Sequence, residues 1–116
     1  MPIMYGIANC DTIKKARHWM SQHEIDYQFH DYKKLGTDEE QLKSWIAEFG
    51  WEKIINRRGT SWRKLDESIR NSMDDSSALG VMQENPSIIK RPLLEVGQHR
   101  ILGFNEAEYA RVLITS

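Results

Sequence analysis

The spacing of hydrophobic positions changes several times along the chain, and each change marks an element. Ile3 to Ile7 is a short apolar run ending near small residues, which fits a buried strand, and Ala8-Asn9-Cys10 follows as a loop. From Asp11 the spacing turns helical: Ile13, Ala16 and Met20 recur at threes and fours while Lys14, Lys15 and Arg17 fall on other faces. Asp11 and Thr12 both suit the N-cap, which puts Cys10 at the mouth of this helix. From Ile25 to His30, apolar and polar residues alternate around Tyr27 and Phe29, the pattern of a second strand. A strand–helix–strand opening of about thirty residues predicts a right-handed crossover between parallel strands. The first loop then lies at their carboxyl end, where open α/β sheets usually bind ligands.

The middle of the chain reads as helical. Thr37-x-x-Glu40 has capping-box spacing, Leu42, Trp45, Ile46 and Phe49 form one apolar stripe, and Gly50 is a natural stop. Trp51 to Ile55 fits a short helical turn, and Asn56-Arg57-Arg58-Gly59-Thr60 a polar, basic loop. Ser61 is a candidate cap for a short helix carrying Trp62, Leu65 and Ile69. Asp75 or Ser76 can cap a last middle helix with Leu79 and Met82, stopped at Asn85-Pro86. The chain then returns to strands: Ile88-Ile89 leads through Arg91-Pro92 to Leu93–Val96, Gly97-Gln98 makes a two-residue turn, and His99 to Leu102 pairs back. Asn105-x-x-Glu108 opens a final helix in which Ala107, Ala110, Val112 and Leu113 are apolar. There is no internal repeat or linker; Gly59–Ser77 is the most polar stretch and is too short to divide the chain. The expected fold is therefore one α/β domain over residues 1–116, with a mixed sheet of about four strands. This is the element order of a thioredoxin-like fold with a helical insertion.

Composition narrows the chemistry. The 116 residues are 40% hydrophobic and 28% charged, a globular balance. Sixteen Lys and Arg against seventeen Asp and Glu give a formal net charge of -1, so a basic nucleic-acid coat is excluded as the main activity. The start, Met1-Pro2-Ile3-Met4, lacks the basic and apolar parts of a signal peptide, and no apolar run is long enough to span a membrane. A soluble, cytoplasmic protein is expected. A lone cysteine there normally stays reduced, and it excludes an internal disulfide, a CxxC redox pair and a multi-cysteine zinc site.

That cysteine is the sharpest chemical feature. A thiol reacts as its thiolate, and the electropositive mouth of a helix lowers its pKa, with Lys14 one turn on as a further source of charge. The alternative is a buried structural cysteine, since free Cys is among the most buried residue types. Without a second thiol, disulfide chemistry at Cys10 needs an outside thiol to resolve it. Arg91, before Pro92, can hold an anion or favour a thiolate, or be a surface residue of a strand turn. Arg57 and Arg58 fit either an anion-binding loop or a solvated basic turn. His18, His23, His30 and His99 have no metal-ligand spacing, so no metal is expected.

Tyr5-Gly6-Ile7-Ala8-Asn9-Cys10-Asp11-Thr12-Ile13-Lys14-Lys15-Ala16, followed by Lys90-Arg91-Pro92-Leu93-Leu94, resembles the ArsC-like family. That family comprises glutathione-coupled arsenate reductases, the Spx transcription regulators and the YffB proteins, and the opening is most similar to the YffB branch. The resemblance runs in order along nearly the whole chain and implies the same thioredoxin-like fold. It implies that Cys10 is the nucleophile, that Arg91 faces it, and that the Arg91-Pro92 bond is cis.

The arsenate reductases of this family carry three arginines around the oxyanion. One falls on Arg91; the first falls on Asn56, with Arg57 one place along; the third falls on or near Gly103, with Arg100 the nearest basic residue. A multiply charged oxyanion needs several donors, so this set argues against arsenate. Many Spx regulators carry a CxxC switch, and Ile13 stands where the second cysteine would be. The expected function is a glutathione-dependent thiol-disulfide oxidoreductase with glutathione as co-substrate. Cys10 and Arg91 would be its catalytic pair, and Asn9, Lys14, Arg57 and Pro92 would bind substrate. The alternatives are an arsenate reductase working with glutathione and glutaredoxin, and a non-enzymatic, Spx-like regulator that binds a protein partner. Neither a membrane nor a nucleic acid is an expected partner.

Overall fold

A computed structural model describes residues 1–114. The chain forms two compact units: Met1–Leu35 together with residues 91–114, and Gly36–Lys90.

The first unit holds the sheet. β1 (Ile3–Gly6), β2 (Gln28–Asp31), β3 (Leu93–Val96) and β4 (His99–Leu102) lie in the order β2-β1-β3-β4. β1 and β2 are parallel, as the crossover predicts, and the β1–β3 and β3–β4 pairs are antiparallel. β2 starts later than the alternation suggested. Between Ile25 and Tyr27 the chain is still leaving the first helix, and the Ile25 amide is held by the Met20 carbonyl at 3.0 Å. Gly97, at φ 60°, supplies the left-handed turn residue between β3 and β4.

α1 (Asp11–Gln22) buries Ile13, Ala16, Trp19 and Met20, and its N-cap is Cys10 itself rather than Asp11 or Thr12. These side chains meet Met4, Leu94 and Ile101 from one face of the sheet. The closing helix, α8 (Glu106–Leu113), is capped by Asn105, which accepts from the Glu108 amide at 3.0 Å, as its spacing predicted. Its core residue is Tyr109, fully buried, with its ring edge-on to Trp19 and Phe104; Ala107 is exposed instead. A tyrosine directly after Glu108, in a segment that also holds Glu106 and Arg111, gave little sign of a core position. Between β2 and the second unit lies the single turn α2 (Tyr32–Leu35).

The second unit is the helical insertion. α3 (Glu39–Phe49) buries Leu42, Trp45 and Ile46 and stops at Gly50, whose φ is 84°. α4 (Trp51–Ile54), α5 (Thr60–Arg63), α6 (Glu67–Asn71) and α7 (Asp75–Glu84) follow, then a 3-10 turn at Pro86–Ile88. The stretch from Ser61 to Ile69 is thus two short helices rather than one. Three caps also differ from expectation: Asp38 caps α3, Gly59 precedes α5, and Asp74 caps α7. In each case the cap lies next to an equally suitable polar residue or glycine, and spacing alone does not separate such neighbours. Ile54, Ile55, Ile88 and Ile89 are buried together, tied by hydrogen bonds from the Asn56 amide to the Ile88 carbonyl (2.8 Å) and from the Lys90 amide to the Ile54 carbonyl (2.7 Å). No helix among the described residues is long and apolar enough to cross a membrane.

Candidate active site

The site lies at the carboxyl end of β1. Beyond Gly6 the chain crosses Ile7-Ala8-Asn9 and enters α1 at Cys10, which has extended backbone (φ -152°, ψ 131°). The Cys10 amide donates to the Ala8 carbonyl at 3.0 Å, and the Lys14 amide donates to the Cys10 carbonyl at 2.9 Å. These bonds fix the backbone on both sides of the thiol. The side chain is partly exposed, with its base against the core cluster.

Burial pushes the thiol pKa up, but the opposing influences prevail and hold it below the ordinary value. They are the Ile13 amide, the Arg91 side chain within hydrogen-bonding reach, the Thr12 amide and the Arg91 charge. Cys10 closes no side-chain cap hydrogen bond, and the first-turn amides act on its sulfur as the electropositive end of the helix. The thiolate is therefore favoured by its position in the backbone and by one guanidinium.

Arg91 comes from the segment entering β3, and the Arg91-Pro92 peptide is cis. Pro92 is buried, and its carbonyl accepts from the Gly103 amide at 2.8 Å. It precedes a central strand rather than lying on an edge, so its missing N–H falls outside the ladder. Gly6 makes room for this arrangement. A Cβ on Gly6 would collide with Ile13 Cδ1 and lie 3.5 Å from Arg91 Cβ. The strand end, the first turn of α1 and Arg91 thus meet around a position without a side chain.

The other predicted residues are placed differently. Asn9 is exposed in the loop. Lys14 is also exposed; its backbone amide bonds to Cys10, while the cation beside the sulfur is that of Arg91. Arg57 belongs to the second unit, where its guanidinium lies 5.7 Å over the Trp51 ring. Arg100 is held by Glu95, with Nε donating to Oε2 at 2.8 Å, and Tyr5 donates to the other oxygen of Glu95 at 3.1 Å. Among the described residues no group of three His, Cys, Asp or Glu side chains could hold a metal.

Two features escaped the sequence reading: the space above Gly6, which a side chain would fill, and the buried Asp31 at the end of β2. A glycine closing a strand just before the reactive loop is the one signal that pointed toward them.

A lowered thiol pKa also links stability to pH. Between the folded value and about 8.5 for an unfolded cysteine, the unfolded chain keeps a proton that the folded chain has shed. Stability contributed by Cys10 therefore grows as pH rises through that window and is lost as pH falls through the folded value. In Cys10→Ser this increment is expected to vanish, which denaturant midpoints of both proteins across that pH range will check.

Comparison with known proteins bears on the family and the fold. The ArsC family profile matches residues 5–112. The structure of a YffB protein is 47% identical and superposes with a TM-score of 0.94, covering 97% of this chain and 99% of that one. The solution structure of an arsenate reductase (ArsC) related protein from Brucella melitensis is also 47% identical, with a TM-score of 0.78 over 95% of this chain and 92% of the other. The global transcriptional regulator Spx of Streptococcus pyogenes is 31% identical over 110 residues, 93% of this chain and 81% of the regulator. With a match that spans the strand–helix opening, the insertion and the Arg91-Pro92 segment alike, the chain belongs to the ArsC family.

Proposed function

We propose that the protein is a glutathione-dependent thiol-disulfide oxidoreductase in which Cys10 is the nucleophile and Arg91 favours its thiolate. The observation that carries this reading is a partly exposed thiol with lowered pKa, held at the first turn of α1 beside a guanidinium. The Cys10 thiolate attacks the glutathione sulfur of a mixed disulfide, forming a Cys10–glutathione disulfide and expelling the substrate thiolate, which takes up a proton. A glutathione thiolate then attacks the glutathione sulfur of that adduct. Oxidised glutathione leaves and the Cys10 thiolate is restored, so the net exchange turns one mixed disulfide and one glutathione into the free substrate thiol and one oxidised glutathione. Such chemistry suits a reducing cytoplasm.

Ile13 occupies the position of a resolving cysteine and is wholly buried, which agrees with resolution by an external thiol. The arsenate alternative is weaker: Arg100 is engaged by Glu95, and Asn56 stands where a further arginine would serve the oxyanion. The 31% identity to Spx favours a second reading, a protein-binding regulator.

The test is to mix the protein with a glutathionylated peptide and weigh it. A single glutathione adduct is expected, confined to Cys10 and removed by added glutathione. Absence of the adduct, together with stoichiometric capture of a protein partner by Cys10→Ala, would support the regulator instead.

A further inference from the structure

A groove of about 360 Å³ opens between α1 and β2, lined by Ala8, Arg17, Phe29, Asp31, Lys34 and Leu35. It adjoins the reactive loop, because Ala8 is the residue whose carbonyl holds the Cys10 amide. Phe29 and Asp31 share one face of β2, paired with Met4 and Gly6, and Met4 faces α1 in the core.

The charges in this groove are unusual for a structural cleft. Asp31 is the one buried charged side chain among the described residues, at 9% exposure. Its Oδ1 accepts from the Lys33 amide at 2.9 Å, whereas Oδ2 has no hydrogen-bond or ion-pair partner among the described residues. With one oxygen held by the backbone and the other not among the buried unpartnered polar atoms, this carboxylate opens onto the groove and is a position for a cation from outside.

Arg17 and Lys34 border the same groove without an ion pair to Asp31. Arg17 is already fixed in direction: Nε donates to the Tyr27 hydroxyl at 2.9 Å, and the guanidinium lies 4.3 Å over the Phe29 ring. Neither terminal nitrogen of Arg17 nor Lys34 Nζ is engaged by another described residue. Arg17 follows Cys10 by seven residues, about 10 Å along the helix axis.

We propose that this groove is the subsite for the zwitterionic α-amino-acid end of the small thiol that Cys10 serves. Asp31 receives the ammonium, Arg17 and Lys34 receive the carboxylate, and Ala8 and Leu35 flank the methylenes. This rests on the thiol-exchange reading of Cys10 and adds which end of the thiol is recognised, and where. A γ-glutamyl thiol and free cysteine share that end.

The test uses Cys10→Ser and redox-silent probes: S-methylglutathione, its analogue lacking the α-amino group, and S-methylcysteine, each followed by amide chemical shifts. S-Methylglutathione or S-methylcysteine is expected to shift Ala8, Phe29, Asp31 and Lys34, and the tighter of the two identifies the natural thiol. Affinity should fall at least tenfold for the deamino analogue, and likewise for S-methylglutathione in Asp31→Asn. Lys34→Gln, an exposed change, should weaken binding several-fold without altering the unfolding midpoint. Equal binding of the deamino analogue, shifts confined elsewhere, or no binding would overturn the subsite. A reactive, glutathione-protected Cys10 with a silent groove defeats this inference alone; groove binding beside an unreactive Cys10 defeats the exchange reading instead.

Discussion

Arg91→Ala is expected to slow alkylation of Cys10 at pH 7, by at most about tenfold, and Cys10→Ser to abolish thiol exchange. Burial raises the thiol pKa, and Arg91 opposes it both by hydrogen bonding and by charge, alongside the first-turn amides. A hydrogen bond to a charged group is worth about 1.5–3 kcal/mol, and the lower end applies because the sulfur is partly open to screening solvent. The lower end corresponds to about a factor of ten in the acid dissociation constant of the thiol, the upper bound on the loss of thiolate at a given pH. Arg91→Lys keeps the charge but not the planar fork, so it should fall between wild type and Arg91→Ala. Iodoacetamide kinetics on the three proteins measure this directly. If Arg91→Ala reacts as fast as wild type, the helix terminus alone sets the reactivity of the thiol.

Gly6→Ala should destabilise the fold by about 1–3 kcal/mol, the usual cost of forcing extra volume into a packed core. The new methyl would collide with Ile13 Cδ1, and Ile13 is 0% exposed, so its side chain has nowhere to retreat. Ile13→Val removes that δ carbon and by itself should cost about 0.5–1.5 kcal/mol. Combined in one chain the two changes should cost less than their sum, because the second removes the atom that the first strikes. Urea unfolding of the two single variants and the double variant gives the coupling, and strict additivity would mean that the strand end moves aside instead. Since Ile13 lies in the turn whose amides face the sulfur, Gly6→Ala should also slow Cys10 alkylation.

The path from sequence to site was legible where one residue type had one physical use. The Ile3–Ile7 run and the Ile13, Ala16, Met20 spacing gave a strand and a helix, and together they located Cys10 at the carboxyl end of the sheet. Gly50, Gly97 and Asn105 served as stop, turn and cap because few residues suit those roles. Helix starts among adjacent candidates, such as Asp74, Asp75 and Ser76, were not resolved, since capping depends on backbone angles that neighbouring polar residues can all adopt.

Tyr109 and Asp31 were harder to see. Each carries polar atoms into a buried setting that only tertiary packing creates. The nearness of Arg91 to Cys10 was likewise invisible to local pattern, because eighty residues separate them in the chain. It came from the family resemblance, and the sheet order explains it: β3, which Arg91 precedes, pairs directly with β1.

The most direct measurement is the pH dependence of Cys10 alkylation in the wild-type protein, with and without glutathione. The rate should reach half its maximum at a pH clearly below about 8.5, the value of a free cysteine thiol, and glutathione should slow it. A midpoint at or above the free value, with no protection by glutathione, would contradict a thiolate held ready for exchange.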